Sequence, residues 1–221
     1  MRLVEPFRMA NMTHLLRLYS ESLEAGALAS LPAINRVIYL ASGSAVVRSE
    51  GQASSLEANS TWCGSTASSI TAGKTGARLL CWELVRAGVA SRATPTLEAG
   101  ITLDAATGYL MRCDRVDFPL GGEALTHVHQ GPGIRSLLSG QIRIDTAGHS
   151  THINPGGAWF EAGPDPVYAA ASRDTPTGFA RVMILPRSCQ GKSSIRYVRL
   201  DDADKPKSQK YQIFADECIE P

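Results

Sequence analysis

The chain of 221 residues repeats itself. Shifted by 97 positions, Gly43 falls on Gly140, Gly51 on Gly148 and Trp62 on Trp159. Ala27 and Leu28 fall on Ala124 and Leu125, Leu40 on Leu137, Ser42 on Ser139 and Ala72 on Ala169. The register holds without a gap from residue 23 to residue 72, then moves to an offset of 103, where Ala77 and Arg78 meet Ala180 and Arg181. The second copy therefore carries a six-residue insertion around residues 172–178. A solenoid repeats every ~20–50 residues; a period this long marks a duplicated domain. The matched residues have structural meaning. Gly43 and Gly140 permit a tight turn or a close backbone approach, and Gly51 and Gly148 suit hairpin turns. The division is expected within residues 94–108, giving halves 1–100 and 101–221.

Each half reads as short β-rich runs between turn residues: residues 36–40, 44–48 and 77–82 in the first, and 133–138, 141–145 and 179–185 in the second. This spacing predicts an all-β sandwich or barrel. Residues 9–23 are the best helix candidate and suit a strand equally well. In the tail, residues 205–210 are polar and expected to cross the surface, and residues 211–214 alternate enough to add an edge strand.

Hydrophobic residues make up 43% of the chain, enough for a real core. Lys and Arg number 22 and Asp and Glu 21, without a basic stripe, so nucleic acid is not an expected partner. No apolar run approaches the ~20 residues that span a bilayer, and residues 1–8 lack a secretory apolar segment. The five cysteines form no CxxC pair; free thiols in a reducing, cytoplasmic compartment are the simplest reading. Cys113 is expected to be a small core residue.

The chemistry concentrates in Thr126-His127-Val128-His129, just before Gly131-Pro132-Gly133. On a strand, residues i and i+2 share a face, so both imidazoles point the same way. That arrangement suits a metal ion, or a pair of hydrogen-bonding histidines in a small-molecule pocket. His14, His149 and His152 read as solvated.

Here the sequence resembles the cupin superfamily, as a two-domain bicupin, over residues 13–87 and 108–187. The first cupin motif runs Gly, five residues, His-x-His, three or four residues, Glu, six residues, Gly. In this chain Gly121, His127, His129 and Gly140 keep that spacing, with Gly133 in place of the Glu. The second motif fits in outline: Gly156 is followed by Ala162-Gly163-Pro164, and Val167 stands where a His belongs. The resemblance implies two tandem jelly-roll β-barrels with little helix, and a divalent metal (Fe, Mn, Ni or Zn) on the motif residues. It also implies that dimers are common.

Two imidazoles hold a metal poorly alone, so a third ligand is needed. Glu161, on the strand carrying the second motif, is the candidate; it would complete a two-His-one-carboxylate set. Gln130 offers an oxygen but should face the opposite side. In the first copy His127, His129 and Glu161 map to Ser30, Pro32 and Gly64, while Trp159 keeps Trp62. The site is therefore expected in the second half only. Arg135 and Arg143, at alternating strand positions, are candidates to grip a substrate carboxylate. Trp159 and Tyr168 are candidates for pocket wall and mouth. The expected function is a metal-dependent enzyme acting on a small organic acid or aromatic compound, as a dioxygenase, decarboxylase or isomerase. The alternatives are a non-catalytic small-molecule binding or sensing protein, and a structural or storage role.

Overall fold

A computed structural model describes residues 12–221. Residues 9–11 of the segment open to helix or strand lie outside the described residues; the rest of it is strand from His14. Three antiparallel sheets form. The first contains β1 (His14–Leu23), β2 (Leu28–Leu31), β3 (Asn35–Ser49), β4 (Gln52–Glu57), β5 (Ser60–Gly64), β6 (Ser68–Arg86) and β7 (Leu97–Ile101). The second contains β8 (Tyr109–Phe118), β10 (Gly133–Ser139), β13 (Ala158–Glu161), β15 (Thr177–Pro186) and β17 (Lys210–Ile219), in the order β13-β10-β15-β8-β17. The third contains β9 (Glu123–His129), β11 (Ile142–Thr146), β12 (His149–Ile153), β14 (Val167–Ala171) and β16 (Ile195–Tyr197), in the order β12-β11-β14-β9-β16. Among the described residues no helix exceeds a three-residue 3₁₀ turn, and none is long and apolar enough to cross a membrane. The fold is the all-β jelly roll expected.

The repeat is visible in the backbone. The β3–β4 and β11–β12 hairpins both turn on two residues of positive φ, Glu50-Gly51 and Ala147-Gly148. That is a type I′ turn, whose twist matches the flanking strands. At Gly43 and just before Gly140 the strand register shifts, both glycines have positive φ, and a Cβ would meet Gly76 or Thr177 at contact distances too short to allow.

Strand alternation sorts the side chains into three larger cores and a small cluster of Leu110, Met183, Leu185 and Cys189. One lies within the first sheet, around Ile38, Leu40, Leu56 and Ile70. Another lies between the second and third sheets, around Phe118, Leu137, Ile144 and Phe179. The third joins the two halves: Leu16, Val37, Leu80 and Trp82 of the first sheet pack on Cys113, Ile134, Val182 and Ile184 of the second. β15 is buried at nine of its ten positions, as a strand covered on both faces must be. One face of it meets the other half and the opposite face looks into its own barrel. Cys113 is thus a core residue, and all five thiols are free. His14 is buried, not solvated, beside Thr13 Oγ1 at 2.8 Å; His149 and His152 are exposed.

Trp82 is the largest side chain in the joining core, fully buried, and its indole Nε1 donates to the Ile134 carbonyl at 3.1 Å across the two halves. Trp82→Ala should destabilise the protein by about 3–5 kcal/mol in urea denaturation. Trp82→Phe, which keeps a ring and loses the hydrogen bond, should lose only about 1–2 kcal/mol. Equal losses would show that packing at Trp82 contributes little.

Candidate metal centre

β9 brings His127 and His129 to the interior of the second barrel, at 6% and 4% exposure. The bulge in its pairing with β14 sets Val167 directly opposite His127. His127 Nδ1 faces the Leu125 carbonyl at 2.8 Å. Against a carbonyl that nitrogen can only donate, so Nε2 carries the lone pair and looks into the barrel. His127 Nε2 and His129 Nε2 are 3.2 Å apart. Gln130 turns away and donates to the Ser193 carbonyl, as alternation requires.

Glu161 arrives from β13, where Ala158 and Phe160 face the other half and Trp159 and Glu161 face inward. Its register partner on β10 is Gly133, the residue standing at the motif glutamate position. A Cβ at Gly133 would lie 2.5 Å from the Val182 carbonyl oxygen, so no side chain fits there. The carboxylate is supplied one strand over instead. Glu161 Oε1 accepts from Trp159 Nε1 at 2.8 Å. Glu161 Oε2 lies 2.8 Å from His129 Nε2 and 2.7 Å from Arg135 Nη2, yet neither donor is aligned with it, and it is buried without a hydrogen bond. Arg135 is buried, and its Nη1 donates to the Gly133 carbonyl at 2.6 Å.

The charges follow from these contacts. Burial pushes the Glu161 carboxyl up, but Arg135, His129 and Trp159 outweigh it and hold the group well below the ordinary carboxylate range. Burial, reinforced by the Arg135 charge, lowers His129 to about 3 against the opposing pull of Glu161. Burial also lowers His127, with the Leu125 carbonyl opposing. At neutral pH both imidazoles are therefore uncharged, which metal ligation requires. Burial lowers Arg135 to about 10, leaving it a cation at neutral pH.

Two ligands about 2.1 Å from one ion, roughly at right angles, stand about 3 Å apart. The contacts of 3.2 and 2.8 Å match that spacing along two edges. Two neutral imidazoles, a carboxylate and an unbonded carboxylate oxygen make a donor set that fits a divalent ion. As placed, however, the donors rest against one another, and among the described residues no group of three or more His, Cys, Asp or Glu is positioned to hold a metal ion. The adjoining cavity measures about 20 Å³, room for about one water. Its walls include Val116, Ile144, Val167 and Phe179.

Of the residues singled out in the sequence, His127, His129, Glu161, Arg135 and Trp159 come together at this cavity. Arg143 and Tyr168 do not. Ile142 and Ile144 take the inward positions of β11, which turns Arg143 outward to pair with Asp145 at 3.1 Å and to lie over the Tyr168 ring. The alternating arginines thus face opposite sides only because they lie on different strands. Ser30 and Pro32 of the first half are exposed. Its interior instead holds Arg36, Nε on Glu83 Oε1 at 2.9 Å, with Arg92 Nε on the same oxygen at 3.0 Å. The sequence reading passed over Arg181 and Tyr211, which also line the cavity, and Asp114, which binds Arg181 at 2.6 and 3.1 Å. The signal was there: a lone arginine at an inward position of the apolar run 179–185.

Two of these groups make stability depend on pH in one direction. Between about 3 and 6.5 the unfolded chain protonates His129 and the folded chain does not, so this stability is complete above 6.5 and declines as pH falls. The depressed Glu161 adds loss of the same sign below the ordinary carboxylate range. The urea midpoint should fall steadily from pH 7 to pH 4, and His129→Gln should flatten that slope. Glu161→Gln, which leaves the Arg135 charge buried alone, should destabilise by about 3–5 kcal/mol at neutral pH. A wild-type midpoint constant across that range would contradict the assigned charge states.

No protein-family model and no curated protein sequence matches the chain. Solved structures do. The oxalate decarboxylase of Bacillus subtilis at pH 4.6 superposes with a TM-score of 0.62 at 13% identity, over 84% of this chain and 71% of that one. A variant of that enzyme lacking two residues gives 0.66 at 13% identity, over 90% and 74%. A further structure of the same enzyme, described through its Mn(II) centres, gives 0.63 at 12% identity, over 85% and 76%. At such identity the likeness is one of fold: the chain folds as a cupin.

Proposed function

We propose that the protein is a metal-dependent bicupin enzyme acting on a small organic acid or aromatic compound at a single site in its second barrel. The observation that carries this reading is the meeting of His127, His129 and Glu161 at one buried cavity, where His129 Nε2 lies 3.2 Å from His127 Nε2 and 2.8 Å from Glu161 Oε2. In this reading residues 1–100 are a degenerate barrel that serves as packing partner, and residues 101–221 hold the site and the tail. The similar Bacillus subtilis enzyme carries Mn(II) centres; Fe, Mn, Ni and Zn all suit two imidazoles and a carboxylate.

A bound divalent ion would supply Lewis-acid polarisation of a substrate oxygen at its open positions. The chain's own groups prepare that site. The Leu125 carbonyl fixes the His127 tautomer, and the Trp159 indole holds Glu161 Oε1 so that Oε2 turns toward the imidazoles. Arg135 keeps Glu161 ionised and adds a positive charge beside the cavity, which favours an anionic substrate. The apolar walls exclude water, which strengthens each of these interactions. The direct contact among the donors favours a second reading, a metal-free binding protein whose two histidines bond an organic ligand.

Untagged protein should carry near-stoichiometric metal by elemental analysis. His127→Ala, His129→Ala and Glu161→Ala should each abolish it. Trp159→Phe, which frees the outer oxygen of Glu161, should weaken metal affinity by roughly tenfold or more. Substitutions at Ser30 and Pro32 should leave metal content unchanged. Metal retained in Glu161→Ala would refute the ligand set, and metal-free protein holding an organic molecule would establish the second reading.

A further inference from the structure

The second sheet ends on β17 and the third on β16, and the chain between them crosses from one edge to the other. A pocket of about 420 Å³ opens between these two edge strands. Ile195 and Tyr197 of β16 form one wall and Tyr211 and Ile213 of β17 the other. This volume lies in the range of small-molecule sites, whereas the inner cavity of about 20 Å³ holds no more than a water.

The two spaces share a partition. Arg181 and Tyr211 line both the pocket and the inner cavity. Tyr197, in the pocket wall, sets its ring 6.4 Å from that of His127. Arg181 is fixed by its two bonds to Asp114. Tyr211 is half exposed; its hydroxyl accepts from Gln209 Nε2 at 3.0 Å and its ring lies 5.8 Å from the Arg181 guanidinium carbon.

The charges of the pocket select a ligand. Arg112 is neutralised by Asp216 at 2.8 Å and Arg181 by Asp114. Two cations keep an excess. Lys207 Nζ bonds only the carbonyls of Asp202 and Ala203, since the Asp202 carboxylate is taken by Lys205; it also lies 4.1 Å from the centre of the Tyr197 ring. Lys192 lines the same pocket exposed. A pocket lined by Ile195, Ile213, Tyr197 and Tyr211 together with the ammonium groups of Lys192 and Lys207 matches a flat ligand carrying one carboxylate. A compact dianion such as oxalate would leave most of the apolar wall uncovered.

We propose that this lateral pocket binds a small aromatic monocarboxylate, its ring between Tyr197 and Tyr211 and its carboxylate at Lys207 and Lys192, and that it is the approach to the inner cavity. The binding claim stands on the pocket alone; its role as substrate approach rests on the metal-enzyme reading above.

Benzoate titrated calorimetrically into the full chain, before and after treatment with a chelator, tests it. Benzoate should bind both preparations, and uncharged benzamide and oxalate should bind at least about tenfold more weakly. Lys207→Gln should weaken benzoate by about tenfold, the loss of a charge-assisted contact. Ile195→Trp should abolish binding by filling the slot while metal content stays at the wild-type level. Saturating benzoate should also slow removal of metal by the chelator in wild type, and not in Ile195→Trp. Absence of benzoate binding, equal binding of benzamide, or unchanged affinity in both Lys207→Gln and Ile195→Trp would overturn the proposal. Benzoate binding to wild-type protein that never holds metal would leave the pocket standing and refute the enzyme reading; metal without benzoate binding would do the reverse.

Discussion

A carboxylate and a guanidinium lie buried side by side in the second barrel, and neither is tolerable there without the other. Glu161 alone would become protonated, as burial dictates, and would lose its value as a ligand. Arg135 alone would be an uncompensated charge in an apolar interior. Arg135 is the main group holding Glu161 ionised, while burial above all leaves His129 and His127 neutral. The indole of Trp159 bonds Glu161, the Leu125 carbonyl bonds His127 and the Gly133 carbonyl bonds Arg135, while His129 Nδ1 is buried without a hydrogen bond. What faces inward is left free for a ligand.

The first half shows the same solution to a different end. It too places an arginine and a glutamate in its interior, Arg36 and Glu83, but Arg92 closes on the same carboxylate oxygen. Two guanidiniums saturate that oxygen, so the pair is a structural plug. Both interiors therefore hold a buried arginine against a glutamate. The apolar core between the first and second sheets holds the site-bearing strands from behind, because β10 and β15 present one face to each half.

Much of this was legible in the residues. The repeat was carried by Gly43, Gly51, Gly140 and Gly148, positions where backbone geometry admits little else, so they persist while neighbouring side chains diverge. The inward pair His127 and His129 followed from a period of two. The placement of Arg143 and Tyr168 did not, because alternation tells which residues share a face of one strand and not which face is the interior. Burial of His14 was hidden for the same reason. Arg181, Asp114 and Tyr211 belong to strands far apart in sequence, and only the sheet order sets them at one partition.

By itself the sequence determined the all-β architecture and set His127 and His129 on one face of one strand. These depend on local rules: turn geometry, strand alternation and the spacing of residues along one chain segment. Tertiary structure alone decided that the carboxylate crosses from β10 to β13. It also decided that an arginine sits against that carboxylate, and that the pocket opens sideways between β16 and β17. Those outcomes depend on strand register and on which edges meet, and the energy that settles them comes from contacts among residues dozens of positions apart.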